Sequence, residues 1–130
     1  MANILLVDDD DAFLELQCEF LRRAGHAVTT AANGKEAIRL VQDNVFDLVI
    51  TDVVMPEKEG IETIMELRRE IPALKIIAMS GGGRNTPQDY LVIARKIGAA
   101  QTLAKPFSGK ELVEAVASVL SPQDHSRSGS

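Results

Sequence analysis

Short apolar segments alternate with longer amphipathic segments along most of this chain, and this alternation limits the folds that it can adopt. The clearest apolar run, ILLV at residues 4–7, is short and rich in branched side chains, as is typical of a strand buried on both faces. After it, apolar residues recur at the spacing of one helix face, at Phe13, Leu16, Phe20 and Leu21. This succession of a short apolar run and a segment with helical spacing repeats along the chain. It predicts four further strands, at residues 26–31, 46–51, 75–79 and 101–104.

Strands that alternate with helices favour parallel βαβ units, and right-handed crossovers place the helices on both faces of the sheet. A chain of 130 residues is long enough for one domain with a substantial core. We therefore predict an α/β domain over residues 1–120, built on an open five-stranded parallel sheet. Residues 121–130 are polar and lack periodicity, so we expect a disordered tail or a cloning remnant.

Charge and composition exclude several classes of function. The net charge is −5 and no predicted element carries a cluster of Lys and Arg, which argues against nucleic-acid binding and against attraction to anionic membranes. No apolar segment is long enough to span a bilayer. The single cysteine, Cys18, cannot form an internal disulfide and is expected to be packed in a helix. These features predict a cytoplasmic protein.

Chemically active side chains follow four of the five predicted strands. Asp8 and Asp9 follow the first strand, Asp52 the third, Ser80 the fourth and Lys105 the fifth. In an open α/β sheet, ligands bind outside the carboxyl ends of the strands. We therefore expect these five side chains to meet at one rim of the sheet.

The chemistry of this set favours phosphoryl transfer. Three carboxylates form a hard oxygen site of the kind that Mg²⁺ prefers, and an ammonium and a hydroxyl group would neutralise and orient a phosphoryl group. One carboxylate could itself be the nucleophile. Asp10 and Asp11 have a simpler interpretation as the cap and first turn of the first helix. His26 and His125 lie outside the set and are interpreted as surface residues.

The stretches ILLVDDDD, FDLVITDVVMPEKEG, IIAMSG and LAKPF occur in this order and resemble the receiver domain of two-component response regulators, over about residues 3–120. The resemblance implies a flavodoxin-like sheet with strand order 2-1-3-4-5. It implies that Asp52 is the phosphoacceptor. It also implies that Mg²⁺ is bound directly by Asp9, Asp52 and the backbone carbonyl of Val54, while Asp8 acts mainly through water.

The same resemblance assigns the remaining site residues. Ser80 would hydrogen-bond the phosphoryl group, Lys105 would pair with it, and the bond between Lys105 and Pro106 would be cis. One departure concerns Thr102, which stands where the family usually has a switch aromatic, and a glycine-rich loop follows Ser80. We therefore predict that phosphorylation is sensed mainly by this loop and the helix after it, at residues 81–97.

The function implied is a phosphoacceptor that takes a phosphoryl group from a histidine kinase or a histidine phosphotransfer protein. It would be a monomer or a weak, phosphorylation-dependent dimer, with no nucleic acid or membrane as partner and with a protein target that the sequence does not identify. It would catalyse only its own phosphorylation and dephosphorylation. One alternative is a Mg²⁺-dependent phosphatase or phosphotransferase, but the second acid that such an enzyme needs is replaced by Val54. The other is a phosphorylation-independent pseudo-receiver, which would normally lack Asp9, Asp52 or Lys105.

Overall fold

The protein is described by a computed structural model that covers residues 2–53, 59–81, 92 and 94–121. The strands are β1 (Asn3–Val7), β2 (Ala27–Ala31), β3 (Leu48–Asp52), β4 (Lys75–Gly81) and β5 (Gln101–Lys105). The helices with assigned bounds are α1 (Asp11–Arg23), α2 (Gly34–Asp43), α3 (Glu59–Glu70) and α4 (Gly109–Leu120). A further helix predicted around Leu91 to Ile97 falls partly outside the described residues, and 94–96 are helical. The predicted tail lies outside them from residue 122 onward.

The five strands form one parallel sheet in the order β2-β1-β3-β4-β5, which confirms the predicted fold. Three strands are longer at their carboxyl ends than the apolar pattern predicted. Asp52 is the last residue of β3, Ser80 lies within β4 and Lys105 is the last residue of β5. Ladder pairing continues to this rim, with Asp52 opposite Met79 and Ser80 opposite Ala104. The polar residues are therefore held by the sheet itself, which limits their backbone movement.

Both faces of the sheet are covered by helices, which explains why β1 is apolar at consecutive positions. Leu5 and Val7 pack with α2 and α3 on one face, and Ile4 and Leu6 pack with α1 and α4 on the other. All four side chains are fully buried. Burial of an aliphatic side chain of this size is worth about 1.5–3 kcal/mol, so β1 contributes strongly to the stability of both layers.

The end of the acidic run sets the start of α1. The side chain of Asp10 is the N-cap and accepts a hydrogen bond from the Phe13 backbone N–H at 3.1 Å, while Asp11 lies in the first turn. Both positions suit a negative charge, because a helix N-terminus has free N–H groups and a positive dipole end. The predicted capping role is confirmed. Within the described part of the chain, every helix is too short or too polar to cross a membrane.

His26 is half-buried, although the sequence suggested a surface position. The Ala2 backbone N–H donates a hydrogen bond to its Nδ1 at 3.2 Å, a contact between residues far apart in the chain. Burial lowers the pKa of His26, so the folded state favours the neutral ring that can accept this bond. The stability that it contributes is fully present above the unfolded pKa of about 6.5 and is lost as the pH falls through the lower folded pKa.

We therefore expect the native protein to lose more stability than a His26→Gln variant between about pH 7.5 and about pH 5. Urea unfolding of both proteins at the two pH values measures the difference. Comparison of the two losses removes the contribution of the carboxylates, which both proteins share. Equal losses would show that His26 is not coupled to folding.

Candidate functional site

Four of the predicted site residues meet at the carboxyl-terminal rim of the sheet. Asp8 and Asp9 directly follow β1, Asp52 ends β3 and Lys105 ends β5. One carboxylate oxygen each from Asp8, Asp9 and Asp52 can be chosen so that all three lie within 4.8 Å of one another. Since these residues come from two neighbouring strands, the parallel topology creates the cluster.

The Lys105 ammonium joins two of the carboxylates. Its Nζ donates to Asp8 Oδ2 at 2.8 Å and to Asp52 Oδ2 at 2.9 Å. The side chains of Asp8 and Asp52 are 1% and 7% exposed and that of Lys105 is 18% exposed, so both ion pairs are largely removed from water. Burial alone would lower the pKa of Lys105, but the hydrogen bonds to Asp8 and Asp52 outweigh it and raise this pKa. Lys105 therefore stays charged at neutral pH.

Asp8 uses both of its carboxylate oxygens in the fold. While Oδ2 accepts from Lys105, Oδ1 accepts from the Asp10 backbone N–H at 3.0 Å. Asp9 is exposed by contrast and presents its carboxylate to solvent. The cluster has three carboxylates against one ammonium, a local excess of two negative charges. This excess and the all-oxygen donor set fit a divalent hard cation such as Mg²⁺.

An aromatic pair that was not predicted as part of the site borders the ammonium group. Lys105 Nζ lies 4.1 Å from the centre of the Phe13 ring, in cation–π geometry. Phe107 meets Phe13 edge to face, with ring centres 5.9 Å apart and an interplanar angle of 81°. Phe13 was predicted only as one residue of an apolar helix face, and that pattern gives no indication of its contact with Lys105.

The remaining predicted site residues are placed as follows. Ser80 is fully buried in β4 and pairs with Ala104, the residue before Lys105. Thr102 lies half-buried on β5, opposite Ala78. The Lys105–Pro106 peptide bond is cis, as the resemblance implies. Val54 lies outside the described residues, so its carbonyl is not part of this geometry.

The start of α3 packs tightly against the backbone at Asp52. A Cβ atom built on Gly60, in the first turn of α3, would lie 2.5 Å from the Asp52 carbonyl oxygen and 2.4 Å from Val53 Cα. The Thr51 hydroxyl donates to the same carbonyl at 3.2 Å. Only glycine permits α3 to approach the strand end this closely, because any side chain at position 60 would overlap the backbone of Asp52 and Val53.

Comparisons with known proteins identify a family to which most of the chain is similar. Residues 4–117 match the family model described as the response regulator receiver domain. The DNA-binding transcriptional regulator NtrC of Azospirillum brasilense is 42% identical over 118 residues, which cover 88% of this chain and 23% of NtrC. The transcriptional regulatory protein CpxR of Klebsiella pneumoniae is 38% identical over 122 residues, covering 92% of this chain and 50% of CpxR. The chain thus spans half or less of these two curated relatives.

A solved structure extends the likeness to three dimensions. The CheY-like response regulator receiver domain protein of Methanospirillum hungatei superimposes with a TM-score of 0.85 at 27% sequence identity. The alignment covers 97% of this chain and 98% of that one. Since nearly all of both chains is aligned, the likeness extends over the whole sheet and its surrounding helices.

Proposed function

Because this chain belongs to the response regulator receiver domain family, we propose that it is the phosphoacceptor of a two-component phosphorelay and that Asp52 receives the phosphoryl group. One observation carries the proposal: the Lys105 ammonium lies 2.9 Å from the Asp52 carboxylate and also contacts Asp8, beside the exposed Asp9. A cation beside a nearly buried carboxylate offsets the charge that a phosphoryl group would add. The working unit that we propose is residues 1–120.

The proposed transfer is a displacement at phosphorus. A carboxylate oxygen of Asp52 attacks the phosphorus atom, and the bond between phosphorus and the donor's histidine nitrogen breaks, leaving its electron pair on the imidazole. Asp52 then carries an acyl phosphate. Lys105 is already charged and within hydrogen-bond distance of Asp52, so it can pair with the phosphoryl oxygens after a short movement. Ser80, on the adjacent strand, is proposed to donate its hydroxyl hydrogen bond to the same group.

A divalent cation completes the proposed site. Asp9 and Asp52 would hold Mg²⁺ directly, together with the carbonyl of Val54, which lies outside the described residues. Asp8 would act through water, because both of its oxygens are already hydrogen-bonded within the protein. When bound, Mg²⁺ would neutralise the negative charge that the phosphoryl oxygens bring to the rim.

The donor in this proposal is a histidine kinase or a histidine phosphotransfer protein. We propose that the chain acts by protein contact in the cytoplasm, where the ATP used by such kinases is available, and that it catalyses only its own phosphorylation and dephosphorylation. DNA binding is named for NtrC as a whole, of which this chain matches 23%. The net charge of −5 gives no support for DNA binding by this chain.

Phosphorylation is proposed to change the surface at residues 81–97. Support comes from Thr102, whose short side chain cannot supply the aromatic rotation typical of the family. Residues 82–91 and 93 of this segment lie outside the described residues. Amide hydrogen exchange in 81–97, with and without a phosphoryl mimic, tests the location of the change, and identical exchange would argue against it.

Intact mass after incubation with acetyl phosphate and Mg²⁺ tests the phosphoacceptor. We expect the native protein to gain one phosphoryl group, on the Asp52 carboxylate that lies 2.9 Å from the Lys105 ammonium. An Asp52→Asn variant should gain none, whereas Asp43→Asn, which alters an exposed carboxylate at the end of α2, should react like the native protein. Retention of the gain in Asp52→Asn would place the acceptor elsewhere.

A further inference from the structure

The aromatic side chain beside Lys105 suggests a role in the reaction. We propose that Phe13 is a positioning residue, whose ring holds the Lys105 ammonium at the rim for phosphoryl transfer. The inference rests on the proposed function of Asp52 and goes beyond it, because it assigns an uncharged residue of α1 to the machinery of the reaction.

The contacts of the ammonium group are the first argument. An ammonium carries three N–H donors, and Lys105 directs hydrogen bonds at Asp8 Oδ2 and Asp52 Oδ2. The centre of the Phe13 ring lies 4.1 Å from the same nitrogen, inside the range of about 6 Å within which a ring face attracts a cation. The ring and the two carboxylates together surround an ammonium that is only slightly exposed. Phe13 thus adds an aromatic contact to the two ion pairs of the ammonium.

Phe13 is itself held by one contact to its backbone and one to its ring. The Asp10 carboxylate accepts the Phe13 backbone N–H at 3.1 Å, which anchors the start of α1. Phe107, two residues after Lys105, meets the ring edge to face. Phe13 is therefore tied both to its own helix and to the segment that carries the lysine, as a positioning residue must be.

The contact between the Phe13 ring and Lys105 matters for the proposed transfer because the ammonium changes partners. Lys105 is bound to Asp52 before transfer and has to pair with phosphoryl oxygens afterwards, so its ammonium must shift by a short distance. A ring face attracts a cation without a fixed acceptor atom, and it does not compete with phosphoryl oxygens for N–H donors. Phe13 can therefore keep the ammonium at the rim while its hydrogen bond passes from Asp52 to the phosphoryl oxygens, the stage at which the carboxylate holds it least.

Fluorinated phenylalanines at position 13 separate this role from simple packing. One, two or three ring fluorines weaken the negative face of the ring stepwise while nearly preserving its shape. We expect the rate of phosphorylation by acetyl phosphate at saturating Mg²⁺ to fall in the same order, by about 3- to 30-fold overall. The same series at Phe20, a half-buried residue of α1 that packs against Gly109, should leave the rate unchanged.

Two further measurements complete the test. In the unphosphorylated protein, the ring current of Phe13 should move the Lys105 ε-methylene proton resonances upfield, and Phe13→Leu should abolish this shift. Phe13→Leu should also slow phosphorylation in the native background but not in a Lys105→Met background. Rates that do not follow fluorination overturn the positioning role and leave the phosphoacceptor function intact. Failure of the native protein to gain a phosphoryl group overturns both proposals, even if the ring-current shift is present.

Discussion

Lys105→Met is expected to lower the free energy of unfolding by about 2–4 kcal/mol at neutral pH without divalent metal. The substitution removes the cation between Asp8 and Asp52, whose side chains are almost completely buried. Two like charges are then left in a poorly solvated site with no compensating group. Urea unfolding of the native protein and the variant, both in chelator, measures the loss.

A matched control comes from the surface of the same protein. Arg23 pairs with Glu19 at 3.0 Å, but both side chains are more than half exposed. Arg23→Met should therefore lower the free energy of unfolding by less than about 1 kcal/mol. Adding Asp8→Asn to Lys105→Met should recover part of the lost stability, because it removes one of the two repelling charges. A Lys105→Met variant no less stable than Arg23→Met would refute this account of the site.

Magnesium should partly replace the missing ammonium. A ligand that binds only the folded state stabilises it in proportion to its affinity and concentration, and the variant site has the larger negative excess. We therefore expect Mg²⁺ to raise the free energy of unfolding more in Lys105→Met than in the native protein. Equal stabilisation of the two proteins would indicate that the cation binds away from this cluster.

The second large effect is expected for Gly60→Ala. This substitution should lower the free energy of unfolding by about 1–3 kcal/mol and slow phosphorylation of Asp52 at least about tenfold. The added methyl group would lie 2.4 Å from Val53 Cα and 2.5 Å from the Asp52 carbonyl oxygen. Both atoms belong to the backbone, so relief of the overlap requires α3 or the strand end to move. Unfolding in urea and the time course of mass gain with acetyl phosphate measure the two consequences.

Gly25→Ala is the matched control for this prediction. Gly25 has a φ of 99° but no atom within 4 Å of the added Cβ. The substitution should therefore lower the free energy of unfolding by about 1–2 kcal/mol through backbone strain alone. Because Gly25 lies at the end of α1 farthest from the rim, the Gly25→Ala variant should be phosphorylated at Asp52 at the native rate. A Gly60→Ala variant that loses stability but keeps the native rate would show that α3 does not fix Asp52.

The sequence predicts the structure correctly where a local pattern has a single structural interpretation. The run ILLV indicated a strand buried on both faces, and the order of strands and helices indicated a parallel sheet. That sheet brings Asp8 and Asp52 to one edge, although they are 44 positions apart in the sequence. The identity of Asp10 as a helix cap was also predictable, because capping depends on neighbouring residues.

Features that depend on tertiary packing could not be predicted in this way. His26 is half-buried and accepts a hydrogen bond from the Ala2 backbone N–H, and nothing near it in the sequence indicates that contact. Phe13 belongs to an ordinary apolar helix face until α1 is docked beside Lys105. The carboxyl ends of β3, β4 and β5 extend beyond the predicted strands, because polar residues at the rim do not resemble strand residues even though the ladder includes them.

The four consecutive aspartates at residues 8–11 have identical chemistry but are not interchangeable. Asp8 is buried against Lys105, Asp9 is exposed to solvent, Asp10 caps α1 and Asp11 lies in its first turn. Insertion or deletion of one aspartate would barely change the composition, yet it would change the number of residues between Val7, the last residue of β1, and Phe13, whose backbone N–H is capped by Asp10. Tolerance of the segment to mutation is therefore governed by spacing rather than by total charge, and length variants should be far more harmful than their similarity to the native sequence suggests.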